Sequence, residues 1–182
     1  MSGTGQPLAY FITFSCYGTW LHGDDRGSVD PDNNQVGAPL LPSDPVRRRT
    51  EERSLAQPPY SLDEPRRRVV LAAVLEVAGH RGWTLLAVHV RSRHVHAVVS
   101  AGCPPERVLN DLKAYASRAL NRAGLDGPDR FRWTRHGSTR YLWKSDRVRE
   151  SVDYVVRQQG EPMAVFEADP ERLLEVVGMG DR

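Results

Sequence analysis

The chain is poor in cysteine, in lysine and in long apolar runs. Its two cysteines, Cys16 and Cys103, lie far apart and outside any Cys-x-x-Cys pair. That excludes a disulfide scaffold and a four-cysteine zinc site, and leaves two reduced thiols as the natural reading. No apolar run approaches the ~18–20 residues that a membrane-crossing helix requires. Residues 1–7 carry neither a basic region nor an apolar core, so the expected setting is the cytoplasm, with no membrane partner. Of the 25 basic residues only Lys113 and Lys144 are lysine, a bias that GC-rich codon usage produces by itself.

What is present describes a folded domain. Hydrophobic residues make up 40% and charged residues 26% of the chain, unlike the balance of a disordered segment. A length of 182 residues accommodates one domain of ordinary size rather than two. The net charge of +2 conceals an uneven distribution. Residues 130–149 hold Arg130, Arg132, Arg135, Arg140, Lys144, Arg147 and Arg149 against one acid, Asp146, with Phe131, Trp133, Tyr141 and Trp143 threaded among them. Cations that track phosphates and rings that stack on unpaired bases suit a single-stranded nucleic acid. An amphipathic strand pair with solvated arginines is the competing reading. Arg132, Arg135, Arg140, His136 and Trp143 are the candidate contacts, joined by Lys113; His136 also reads as a turn residue and Lys113 as part of a solvated helix face.

Periodicity places the elements. Leu8 to Cys16 alternates as a strand. Between Tyr17 and Tyr60 the periodicity disappears, which predicts a long insertion loop. Ser61 and Glu64 have capping-box spacing, with Pro65 in the first turn, ahead of an apolar stripe of Val70, Leu71, Val74, Leu75 and Ala78 that Gly79 or Gly82 can stop. Two strands follow, Thr84 to Arg91 and Arg93 to Ser100, then a helix from Pro104 to Gly124. Residues 131–143 read as extended, and Asp146 is placed to cap a helix reaching Gly160. A short helix over Pro170 to Val177 lies in an acidic tail, 161–182. The order predicts an α+β, ferredoxin-like domain over residues 1–160: an antiparallel sheet with two helices on one face and the third near the other.

His94 and His96 alternate with Val95 in the central strand, so they share one sheet face while Val95, Ala97 and Val99 share the other. Two imidazoles on one face can grip a divalent ion, although such a pair alone is more often an ordinary polar group than a ligand set. Amidohydrolase barrels need a longer chain. Histidine-triad hydrolases need a third histidine where Val98 stands, and two-histidine phosphoesterases need His-x-Thr or His-x-Ser motifs that are not here. On the following helix, Val148, Val152, Val155 and Val156 form an apolar stripe, while Tyr154 and Gln158 point together off it. Tyr115 is the rival tyrosine, but it borders the Leu112 side of its helix and its four-on neighbour is Ala119. His22, just past the first strand, either reaches the same face or orders the insertion.

These residues together resemble a known family. His94-Val95-His96 is similar to the His-hydrophobic-His signature of HUH nucleases. Val152-Asp153-Tyr154-Val155 with Gln158 resembles the catalytic helix of single-tyrosine transposases of the insertion-sequence-200-like and REP-associated kind. Val88 to Arg93, Leu112-Lys113-Ala114-Tyr115 and Tyr141-Leu142-Trp143 resemble the segments around those motifs. The resemblance covers residues 8–160; the 17–60 insertion and the acidic tail are additions to it.

The resemblance implies a transposase that nicks and rejoins single-stranded DNA, acting at hairpins. It implies Tyr154 as nucleophile, a Mg²⁺ or Mn²⁺ ion held by His94, His96 and Gln158, and a 5′-phosphotyrosine intermediate. A free phenol is only ~0.1% ionised at pH 7, so activation is required. Imidazoles favour softer ions than Mg²⁺. Whether one subunit suffices or a homodimer exchanges helices stays open. The alternatives are a domesticated hairpin-DNA-binding protein without transposition, and a structural domain in which the histidines hold zinc.

Overall fold

The computed structural model describes residues 5–19 and 45–178. Ten elements follow one another in these segments: β1 (Ala9–Ser15), α1 (Pro45–Ser54), α2 (Glu64–Arg81), β2 (Thr84–Val90), β3 (His94–Ser100), α3 (Pro105–Arg122), β4 (Ser138–Leu142), α4 (Ser145–Arg157), β5 (Ala164–Glu167) and α5 (Pro170–Gly178). The strands form one sheet in the order β4-β1-β3-β2-β5, and every neighbouring pair is antiparallel. The first four strands with α2 and α3 make the expected ferredoxin-like arrangement, and β5 extends it at the β2 edge.

Alternation along the strands divides the interior in two. Ile12, Phe14, Val88, Val95, Ala97 and Val99 join Val70, Val74, Leu112 and Leu120 beneath α2 and α3. On the opposite face Ala9, Phe11, Leu86, Ala87, Val98 and Leu142 meet Val148, Val152 and Val155 of α4, and Val176 and Val177 of α5. A bulge between Leu85 and Ala87 shifts the β2–β3 register. It lets Leu86 and Ala87 share one face before alternation resumes, and it sets His89 opposite His96.

Several local expectations are corrected. Asp63, not a Ser61–Glu64 box, caps α2: its carboxylate accepts the Arg66 backbone N–H at 3.0 Å. Pro65 does sit in the first turn, and Gly82, with φ +67°, ends the helix in the left-handed conformation. Asp146 lies in the first turn of α4, while the cap position belongs to Lys144, which makes no side-chain cap bond. The 17–60 stretch contains α1, whose aliphatic Val46 is 73% exposed. A helix that buries no stripe leaves no apolar period to read. Within the acidic segment, β5 pairs with β2 and α5 buries Val176 and Val177. No described helix is long and apolar enough to cross a membrane. His22 lies outside the described residues.

Candidate functional site

The valine stripe of α4 docks on the sheet and fixes the helix's rotation. With Val148, Val152 and Val155 buried, Tyr154 is turned to the helix's flank, 41% exposed. Its ring packs edge-on against Phe11 and against His96, with centroids 5.9 Å apart in each case. Phe11 also stacks on His96 at 5.5 Å. The His94 and His96 rings lie 4.7 Å apart. One chain therefore brings the tyrosine and the histidine pair together.

His96 is held from behind. Thr13, its partner across β1–β3, places Oγ1 2.7 Å from His96 Nδ1. A hydroxyl both donates and accepts, so Thr13 matches either tautomer; when Nδ1–H donates to it, the Nε2 lone pair is free for a ligand. Burial, reinforced by His94, His89 and Arg91, pushes the His96 imidazole down to about 3 against an opposing hydrogen bond to the Gln159 side chain. The ring is thus neutral near pH 7, as a metal ligand must be. Two imidazoles on one face with an amide side chain at hand form a donor set that fits a divalent ion such as Mn²⁺.

Gln158 lines the same cleft as Tyr154. It is exposed, and its Nε2 donates to Asp153 Oδ2 at 2.7 Å. The neighbouring Gln159 donates its Nε2 to the Tyr154 carbonyl at 3.3 Å. α4 ends at Arg157, and Gln158 is its C-cap at φ −109° and ψ 19°, with its N–H on the Tyr154 carbonyl at 3.2 Å.

A cleft of about 930 Å³ opens beside Tyr154, lined among others by Phe11, Arg140, Arg147, Arg149 and Gln158. The Arg140 guanidinium stands 5.9 Å from the Phe11 ring centroid. Arg147 is paired to Glu150 at 2.7 Å. The cleft offers positive charge beside an aromatic floor, as a phosphate-bearing strand requires.

The other candidate contacts part company. Arg132 is a correction: it is 4% exposed and its guanidinium is used internally by Asn121, Gly127 and Asp126, so it does not face a ligand. Lys113 is likewise structural. Its Nζ donates to the carbonyls of Thr134 and His136, both at 3.0 Å, and to that of Arg135, and burial lowers its pKa. It ties down the loop on which Arg135 and His136 remain exposed. Trp143 stacks on Tyr141 at 5.9 Å, and Tyr141 in turn packs on Tyr10, a residue of the α2–α3 core. Trp143 stays exposed just past the end of β4. Tyr115 lies on α3 beneath Arg118 and packs against the α2–α3 core, on the sheet face opposite His96.

Three supporting residues carried no assigned role in the sequence reading: Thr13, His89 and Gln159. His89 is fully buried, with both nitrogens engaged. Its Nδ1–H donates to the Val155 carbonyl at 2.9 Å, and Nε2 accepts the Met163 N–H at 3.2 Å. Burial lowers its pKa against the opposing bond to Val155, and Arg91 adds to the lowering. It can therefore anchor α4 but not ligate a metal. A histidine inside an otherwise apolar strand was the available signal.

No family model and no curated protein matches the chain. Among solved structures, a REP-associated tyrosine transposase bound to a REP hairpin is similar at 13% identity and a TM-score of 0.45, over 87% of this chain and 72% of that one. A likeness so distant carries no functional weight beside the site itself.

Proposed function

We propose that this protein is a metal-dependent single-stranded DNA nickase and strand transferase of the HUH single-tyrosine kind, acting at hairpin DNA. The observation that carries the reading is the Tyr154 ring resting against His96 in the same chain.

His94 and His96 would hold the cation, with a glutamine amide completing the protein donors. A bound Mg²⁺ or Mn²⁺ supplies Lewis-acid stabilisation to the scissile phosphate and the leaving oxygen. Arg140 and Arg149, at the cleft wall, neutralise the flanking phosphates. Phe11 and the valine stripe hold the phenol in one orientation, which lowers the entropic barrier to attack. The Tyr154 oxygen forms a bond to phosphorus as the bond from phosphorus to the 3′-oxygen breaks. The phenolic proton is lost to solvent and the departing oxygen takes one up, leaving a free 3′-hydroxyl. The phosphoester to tyrosine retains the energy of the original link, so a second 3′-hydroxyl can reverse the step without ATP.

The test is incubation of wild type and Tyr154→Phe with hairpin oligonucleotides and Mn²⁺, followed by a denaturing gel. Wild type is expected to yield a covalent protein–DNA adduct, and the variant to bind DNA but yield none. Binding without an adduct in wild type would replace this reading with that of a hairpin-binding protein that lacks transposition.

A further inference from the structure

The cleft beside Tyr154 runs out onto β4, the edge strand of the sheet. Alternation along β4 turns Leu142 into the α4-side core and sets Arg140 on the same face, near Phe11. Tyr141, between them, also lines the cleft. Its ring packs edge-on against Tyr10, with centroids 5.3 Å apart. The Trp143 ring lies almost parallel to that of Tyr141, with 10° between their planes. Tyr10 is buried in the α2–α3 core, so the stacked pair is anchored rather than loose. Yet Tyr141 is 48% and Trp143 55% exposed. Single apolar side chains scattered on a surface need no explanation, whereas an ordered, contiguous pair of rings suits a partner. Rings already held in place also lose little freedom on binding.

Charge selects the partner. Arg140 precedes the rings, Lys144 follows them, and both are exposed. Arg149 lines the adjoining cleft. Of the acids there, Glu150 is paired to Arg147 and Asp153 accepts from Gln158. A second copy docked through this edge would set these cations against their own kind, which disfavours it. A strand of nucleotides answers both features, with phosphates for the cations and flat bases for the rings. From Arg140 to Trp143 is three residues of extended chain, ~10 Å, so a strand leaving the cleft crosses only this edge to reach the stack.

Resting on the single-stranded DNA reading above, we propose that Tyr141 and Trp143 form a stacking platform for an unpaired base of the strand bound in the cleft. Trp143 carries the base, and Tyr141 and Tyr10 hold Trp143 in place. Every base has a π face, so the platform holds the strand without reading its sequence. It favours hairpins that carry an unpaired extension over blunt ones.

The test uses the full chain in chelator-treated buffer, so that no strand is cut. It is titrated with a blunt DNA hairpin and with hairpins bearing an oligothymidine tail at the 5′ or the 3′ end, each tail carrying one 2-aminopurine. Wild type is expected to bind one tailed hairpin more tightly than the blunt one and to quench its 2-aminopurine. Trp143→Ala should weaken binding of that hairpin by about 5- to 100-fold and restore the emission, while Trp143→Phe keeps most of the affinity. The salt dependence should be unaltered in Trp143→Ala, since no phosphate contact is lost, and its slope should fall by about 1 in Arg140→Ala. Equal losses on blunt and tailed hairpins, or a lowered salt slope in Trp143→Ala, overturn the platform. If Trp143→Ala disturbs the fold by circular dichroism, unquenched 2-aminopurine in wild type on both tails overturns it equally. A wild-type dimer that Trp143→Ala dissolves, with DNA affinity equal in the two, gives the rings to a second copy and overturns it as well. Quenching in wild type without a covalent adduct under Mn²⁺ keeps the platform and removes the nickase reading. An adduct without any Trp143 effect on binding does the reverse.

Discussion

On the α2–α3 side of the sheet, Ile12, Phe14, Val95, Ala97 and Val99 meet Val70, Val74, Leu112 and Leu120 in a filled apolar layer. On the α4 side, Ala9, Phe11, Leu86 and Val98 meet the valines of α4 and α5, and the same strands also present Thr13, His89, His94 and His96. The first face is occupied by side chains whose contribution is burial. The second is divided: one part docks α4, and the rest holds imidazoles, a phenol and an open cleft. A site can be kept polar and accessible here while the opposite face buries the larger apolar cluster. The α4 contact, though smaller, sets which flank of the helix turns toward His96.

The sharpest way to break this contrast is a cavity on the filled face. Leu112→Ala, at a fully buried position, is expected to cost about 2–5 kcal/mol, read by chemical denaturation, with Mn²⁺ affinity of the remaining folded protein unchanged. A small loss there would mean that the two faces share the load. The polar face should show itself in pH dependence. An imidazole near 6.5 when unfolded and about 3 when folded binds its proton more readily in the unfolded chain. Its stabilising contribution is complete above pH 6.5 and is lost as pH falls from there toward 3. In chelator-treated buffer, the Tm of wild type should therefore drop more steeply over that window than that of His96→Asn; parallel curves would contradict the burial of His96. The smallest effect belongs to Tyr154→Phe, which keeps the ring against Phe11 and should change stability by no more than about 0.5 kcal/mol while removing the adduct.

Much of this arrangement was legible in the residues because it depends on local periods. Alternation put His94 and His96 on one face, helical spacing turned Tyr154 off the valine stripe, and the order of elements implied the sheet. What escaped depends on relations between distant segments. Thr13 matters because the β1–β3 register sets it opposite His96, and no single-strand pattern reveals a register. Arg132 looked like a phosphate contact until Asp126 and Asn121 enclosed it. The four-residue β5 is too short for its alternation to stand out, and α1 buries no apolar stripe.

The central claim is that the Tyr154 phenol lies beside a metal site within one chain. The most direct measurement is a ¹⁹F spectrum of the protein with its six tyrosines replaced by fluorotyrosine, the Tyr154 line assigned by its disappearance in Tyr154→Phe. Stoichiometric Mn²⁺ should broaden that line well before the line of Tyr60, which is buried in the α2–α3 core. A Tyr154 line that stays sharp while Mn²⁺ is bound would contradict the account.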